Sequence, residues 1–255
     1  MHAEQPGESK RQLQGKLALV TGGTDGIGAA LIRQLRAKGA VVITSGRDPV
    51  RVAATRSAGF EVIEADLSVP AGVEALLAGV GARPLDVLIN NAGAGVTHDF
   101  REAAQPDLAA AEAVIYLNLN APIALITRLM PILRARPEAM PSAMIVNVTS
   151  GLAIAPSAST PVYCATKAGL RSYTLALRGQ LAGSGVHVLE VLPPVVETKM
   201  TTDLATQKMT AADCARQIVA AIETNADEAN VGSVKLLRAV YSLSPGLARR
   251  MMLKF

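Results

Sequence analysis

The sequence predicts an α/β protein, a doubly wound parallel sheet of about seven strands with helices on both faces. Three observations carry this. Half of the 255 residues are hydrophobic, yet aromatics make up only 3% and tryptophan is absent. Such a core must be aliphatic, which suits parallel strands buried on both faces. Short apolar runs alternate with helical segments along the chain, the order expected of strand–helix–strand units. Finally, the first run ends in a glycine-rich turn that opens a helix. That is the entry to a Rossmann-type nucleotide fold.

The elements follow in order. Residues 16–21 (KLALVT) form the first strand. A helix begins near Gly26 and is stopped by Gly39, and residues 40–45 (AVVITS) form the second strand. Asp48 before Pro49 is a helix cap followed by the residue preferred at the first helical position. Residues 60–65 (FEVIEA), 85–89 (LDVLI), 143–149 (AMIVNVT) and 186–192 (VHVLEVL) are strands three to six, and a short seventh lies near 229–232. The strongest helices span residues 108–133, 162–181 and 211–224, the last opened by Thr210 with Asp213 three residues on. Residues 134–142 carry two prolines and read as a loop. The organisation is therefore a disordered polar leader (1–14), one nucleotide-binding domain (15–232) and a basic helical extension of that domain (233–255).

Charge and cysteine content narrow the classes. Residues 231–255 hold five basic side chains and no acid, so the net charge of +4 leaves the first 230 residues at −1. A basic tail on a nearly neutral body does not make a nucleic-acid domain. Two cysteines, Cys164 and Cys214, cannot form a disulfide framework and fit a reducing, cytoplasmic compartment. Neither has metal-ligand company, so no metal site is expected. The first 15 residues lack the apolar run of a signal peptide.

Tyr163 and Lys167 stand four residues apart, on one face of a helix. A free phenol titrates near ~10, and a neighbouring cation lowers that value, so the pair suits proton transfer to or from an oxygen. By itself the spacing fits a solvated helix face equally well. In the first turn, Gly22 allows a sharp bend, Gly26 a close approach to a pyrophosphate, and Gly28 tight packing of helix on sheet. Thr24, Asp25 and Ile27 complete the turn, and the helix N-terminus faces the phosphates.

The glycine spacing is Gly-x-x-x-Gly-x-Gly. With it come Asn90-Asn91-Ala92-Gly93 after strand four, Ser150 after strand five, Tyr163 13 residues later and Lys167 four beyond that. In these motifs the sequence resembles the short-chain dehydrogenase/reductase family, over roughly residues 12–225. The stretch SGLAIAPSASTPVYCATKAGLRSYTLALR is most similar to the branch named for a D-alanine esterification oxidoreductase. No substrate is carried over from that name.

The resemblance implies NAD(P)-linked interconversion of a carbonyl and an alcohol and a homodimer or homotetramer. Under it, Tyr163 is the acid or base, Lys167 lowers the Tyr163 pKa and holds the nicotinamide ribose, and Ser150 holds the carbonyl oxygen. Asn118 holds a water that links Lys167 to bulk solvent. Alternatives stay open for two of these: Ser150 as an end-of-strand turn residue, and Asn118 as a helix-packing residue. Asn91, Ala92 and Gly93 line the cofactor, Asp66 and Leu67 meet the adenine, and Pro193, Val196 and Thr198 meet the nicotinamide. Asp66 has helix capping as its alternative role.

Cofactor choice is set after strand two, where NAD enzymes place an acid on the ribose hydroxyls. This chain has Ser45-Gly46-Arg47 there, with a guanidinium suited to a 2′-phosphate. NADP(H) is therefore expected, with NAD(H) as the alternative and pairing to Asp48 as the other use of Arg47. Asp25 stands against NADP, since some NADP enzymes of the family carry a base there.

Residues 94–96, 152–154, Pro194, Met200 and Leu204 are the expected substrate contacts, and His98 is read as a loop residue beside them. Pro194 replaces the family's usual glycine. Ser244-Pro245 should open a last short helix. Its expected use is docking on its own protein, over the cleft or a subunit contact; peripheral contact with an anionic membrane is the alternative. A non-catalytic dinucleotide sensor and a membrane-associated scaffold are the rival functions.

Overall fold

In a computed structural model, residues 10–97, 99–100, 107–135, 143–202 and 207–254 are described. The strands are β1 (Leu17–Val20), β2 (Val41–Gly46), β3 (Glu61–Glu64), β4 (Val87–Asn90), β5 (Ala143–Val148), β6 (Val186–Leu192) and β7 (Glu228–Asn230). They form one parallel sheet in the order β3-β2-β1-β4-β5-β6-β7. The chain winds outward from β1 in one direction, then returns to β4 and winds outward in the other. The switch point thus lies between β1 and β4, where Val20 pairs with both Thr44 and Ile89. Ligands of such sheets bind beyond the strand ends at that point.

Side chains alternate between two cores, as the two-residue period of a strand requires. Ala18 and Val20 of β1 face α1 (Gly26–Ala37), whose Leu31, Ile32 and Leu35 are buried there with Ile218 and Ile222 of α7 (Ala211–Glu223). Leu19 faces the other layer, made by α3 (Pro70–Val80), α5 (Ala121–Arg134) and α6 (Pro161–Gln180). α2 (Pro49–Ser57) contributes Val52 to the first core. α4 (Leu108–Ile115) runs into α5 through a π-helical turn, Tyr116–Asn120. Together, Leu108–Arg134 is long and apolar enough to cross a membrane, but Glu112, Pro122 and Arg128 interrupt it, and Leu125, Ile126, Leu129 and Leu133 are core residues.

The caps read from the sequence are present. Asp48 accepts from Arg51 N at 2.9 Å, Thr210 from Asp213 N at 3.0 Å and Ser244 from Leu247 N at 3.3 Å. The helices α3 and α8 (Val234–Leu243) have no side-chain cap. α9 (Pro245–Met252) follows directly.

The leader is corrected at its end. Residues 10–14 were expected in the disordered leader, but Leu13 is buried in the first core, Arg11 N donates to the Glu223 carbonyl and Arg11 Nε to Asn225 Oδ1. One apolar side chain and two hydrogen bonds hold this stretch down. The rest of the leader that precedes it, and the loop at 136–142, lie outside the described residues.

Candidate active site

The glycine turn is built by sterics. Gly22 has φ +69, which L-residues rarely adopt, and its backbone packs against Ala92. A Cβ on Gly28 would strike the Gly22 carbonyl oxygen and approach Asn91 Nδ2 to 2.6 Å. The turn, α1 and the end of β4 therefore share one tight contact. Asn91 Nδ2 donates to the Thr21 carbonyl at 2.9 Å, while Thr21 Oγ1 accepts from Asn91 N and Ala92 N. Thr24 packs against Gly46, and Ile27 is half-buried against the first core. Asp25 caps α1, accepting from Gly26 N at 2.8 Å.

Two of the four expected chemical residues, Asn118 and Lys167, converge on Gly93, while Ser150 hydrogen-bonds Tyr163. A Cβ on Gly93 would lie 3.2 Å from Asn118 Oδ1 and 3.4 Å from Lys167 Nζ. Asn118 is fully buried in the π-helical turn, a distortion often found at functional sites. Its Oδ1 accepts from Ala94 N at 3.0 Å, and its Nδ2 donates to the Ala94 carbonyl at 2.8 Å and Thr166 Oγ1 at 3.1 Å. Lys167 is buried and donates from Nζ to the Val148 carbonyl at 2.8 Å. Ser150 begins a short turn after β5, with Oγ accepting from Leu152 N at 3.1 Å. Thr149, the competing hydroxyl, instead donates to Glu190 Oε1 at 2.8 Å.

The electrostatics correct one expectation. The Tyr163 phenol is not lowered. Burial pushes it up to about 12, and a hydrogen bond from Ser150 opposes that push only in part. Burial also pushes Lys167 down to about 8. Both follow from the cost of a charge in a dry site. Lys167 Nζ lies 5.7 Å from the Tyr163 ring centre and is turned to Val148, so in the chain alone desolvation outweighs the cation.

The residues expected at the adenine end differ in their pairings. Arg47 does not pair with Asp48. Its Nη1 lies 3.3 Å from Asp66 Oδ1 and Oδ2, across the ends of β2 and β3. Asp48 pairs with Arg51 at 3.2 Å, and Arg51 also pairs with Asp25 at 2.8 Å. Asp66 does not cap α3, whose N-cap is Val69. It instead accepts from Ser68 N at 3.0 Å and Ser68 Oγ at 2.8 Å. Burial pushes its carboxyl up, but Ser68 and Arg47 together outweigh this and hold it below the usual range. The Leu67 side chain is buried in the second core, which leaves its backbone to meet a nucleotide.

In the segment expected to meet the nicotinamide, the Pro193 carbonyl accepts from Gly151 N at 3.0 Å. Val196 is buried and bridges to Met209. The Thr198 methyl would lie 2.9 Å from a Cβ on Gly26, so this segment closes over the glycine turn. Met200 and Tyr163 both stand 3.9 Å from a Cβ on Gly95, on one side of the cleft. His98 and Leu204 lie outside the described residues.

Sequence reasoning passed over several residues here. Gly23 has no room for a side chain, since a Cβ would strike Thr44 Oγ1. Arg51 ties the glycine turn to α2; its i,i+3 spacing from Asp48 was the available signal. A charge network around buried Glu190 was not legible at all. Arg171 Nη1 meets Glu190 Oε2 at 2.5 Å, Arg171 Nη2 meets Glu228 Oε2 at 3.1 Å, and Arg238 of α8 reaches Glu228 Oε1 at 3.4 Å. It runs from α8 to Thr149, the neighbour of Ser150. Burial raises the Glu190 carboxyl above its usual range despite Thr149 and Arg171.

Comparison with known proteins agrees with this geometry. A family model described as short chain dehydrogenase matches residues 16–209. The chain is 40% identical over 184 residues to the uncharacterized oxidoreductase DltE of Bacillus subtilis, covering 71% of each chain. It is 32% identical over 201 residues to the rhamnolipids biosynthesis 3-oxoacyl-(acyl-carrier-protein) reductase of Pseudomonas aeruginosa, covering 76% of this chain and 77% of that protein. A solved short chain dehydrogenase from Burkholderia cenocepacia, in complex with NADP, superposes with a TM-score of 0.83 at 25% identity, over 95% of this chain and 99% of that one. One from Sphingobium yanoikuyae, in complex with NADPH, does so with a TM-score of 0.78 at 25% identity, over 91% and 94%.

Proposed function

The chain belongs to the short-chain dehydrogenase family, and from that premise we propose that it interconverts a ketone or aldehyde and an alcohol with NADP(H), Tyr163 exchanging the proton. The observation that carries this is the convergence of Asn118 and Lys167 on Gly93 beside Tyr163 and Ser150, at the switch-point end of the sheet. The cradle suits a dinucleotide, because Gly22 and Gly28 leave no volume for side chains where the turn meets Asn91 and Ala92. NADP(H), when bound, supplies or accepts the hydride.

The protein residues do the remainder. Tyr163 delivers its proton to the carbonyl oxygen, or removes it from the alcohol. Its high pKa keeps it protonated at neutral pH, the state needed for reduction. Ser150 orients the same oxygen by hydrogen bonding. Lys167, freed from the Val148 carbonyl, binds the ribose and brings its positive charge toward the phenol. Asn118 holds the Ala94 backbone and a water behind Lys167. Arg47 meets the 2′-phosphate, Asp66 and the Leu67 backbone the adenine, and Pro193, Val196 and Thr198 the nicotinamide. NADP-bound and NADPH-bound relatives of the same fold support the cofactor assignment.

Ala94, Val96, Leu152, Pro194 and Met200 favour a small apolar substrate, whereas Ile154, also expected there, is buried against Leu192 and Val234 under α8. Assembly into a homodimer or homotetramer through α4–α5 and α6 is part of the same proposal, and exposed Leu108, Ile115 and Leu175 on those helices support it. The test is NADPH absorbance across a panel of aldehydes, ketones and secondary alcohols. Turnover with at least one carbonyl supports the reading. Tight NADPH binding with no turnover anywhere would make the protein a cofactor sensor instead.

A further inference from the structure

The C-terminal hairpin has two apolar faces, and among the described residues the domain covers only one of them. α8 turns Val234 and Tyr241 inward against Ile154 and Leu192, and Val234 packs on Gly151. At about 100° per residue, Leu236 and Leu243 fall on the opposite side of the helix. Both are exposed, Leu243 to 88%. Exposed Ala239 and half-buried Val240 lie between them. α9 buries only Ala248, while Leu247 and Met251, one turn apart, are exposed. The self-docking expected from the sequence accounts for the inner face of α8 and for Ala248. The outer faces remain.

Charge selects the occupant. Lys235, Arg238, Arg249, Arg250 and Lys254 belong to this segment, which has no carboxylate side chain. Arg238 turns back to Glu228 and Arg249 to the Tyr241 hydroxyl at 3.2 Å. Lys235, Arg250 and Lys254 are exposed. A second copy of the hairpin would bring like charges together around the apolar contact. An anionic lipid surface offers an apolar boundary and negative charge at once.

We propose that the α8–α9 hairpin docks this protein reversibly on an anionic membrane surface, with Leu236, Leu243, Leu247 and Met251 among the headgroups and acyl-chain ends. Lys235, Arg250 and Lys254 sit at the phosphate level. Because α8 packs on Gly151, next to Ser150, the docked hairpin lies beside the substrate side of the cleft. The docking is independent of the proposed turnover and is measured without substrate.

The experiment is sedimentation of the full-length protein with vesicles of equal phosphatidylglycerol and phosphatidylcholine, and with phosphatidylcholine alone. Binding is expected to the anionic vesicles, weaker binding to the neutral ones, and loss in ~1 M salt, where screening is strong. Leu243→Asp with Leu247→Asp should abolish it. Arg250→Gln or Lys254→Gln should each lower the partition about fivefold, the equivalent of ~1 kcal/mol per cation. These charge variants decide the matter even where the Asp variant melts early. Equal affinity for the two vesicle types, or none for either, overturns the proposal. Loss of an oligomer by light scattering in the Asp variant, without vesicle binding by the wild type, assigns the face to a second copy.

Discussion

Arg47 and Asp66 meet across the ends of β2 and β3, with one guanidinium nitrogen 3.3 Å from each carboxylate oxygen. Both side chains are substantially exposed, so the pair contributes little to stability. The guanidinium is thus available to a competing phosphate. Arg47→Ala should weaken NADPH binding by about 1.5–3 kcal/mol, the scale of a charged hydrogen bond, and leave NADH nearly unchanged. Fluorescence titration of both cofactors reads this. Equal losses would mean that Arg47 serves Asp66 and not the cofactor.

Tyr163→Phe keeps the ring and removes the proton donor. Cofactor binding should persist while turnover falls by about 10² or more. Single-turnover measurements at saturating NADPH separate the two, and near-normal turnover in the variant would sink the mechanism.

Lys167 makes the stability of the cofactor-free protein depend on pH. Its folded pKa is pushed from 10.5 to about 8. Between those values the unfolded chain holds a proton that the folded chain has lost, so stability rises with pH across the window, by about 3 kcal/mol at most. Tyr163 acts in the opposite sense. It is pushed from 10.0 to about 12, so the folded chain keeps a proton that the unfolded chain loses, and stability falls across that window. Thermal melts of the wild type should therefore rise from about pH 8 to pH 10. In Lys167→Met that rise should be absent, and a wild-type profile flat over the same range would contradict the buried ammonium.

Arg171→Ala leaves Glu190, fully buried, without its cation. A loss of about 3–5 kcal/mol is expected, because a lone buried charge costs far more than the pair contributes. Adding Glu190→Gln to the variant should recover much of it. Denaturant titration measures both, and a double variant no more stable than Arg171→Ala would remove the charge argument.

Whatever rests on local geometry was legible along the chain. The strand β6 occupies the residues expected of it, because alternating apolar residues between turn signals leave one choice. Caps at Asp48, Thr210 and Ser244 were legible because each closes on a backbone amide three residues away. The glycine turn, Ser150, Tyr163 and Lys167 were legible only as a set, because several short motifs in order resemble one family, while the Tyr163–Lys167 spacing alone fits a solvated helix face equally well. The tertiary structure decided the partners and the electrostatics. Arg47 pairs with Asp66, 19 residues away just past the end of the neighbouring strand, and not with the adjacent Asp48, which the α2 cap and Arg51 already hold. Arg171 and Glu190 meet only because α6 lies on β6, and Leu13 is a core residue only because the first core has room for it. The Tyr163 pKa moved opposite to what its helical spacing from Lys167 implied. Spacing reports which groups are near, whereas desolvation depends on everything packed around them.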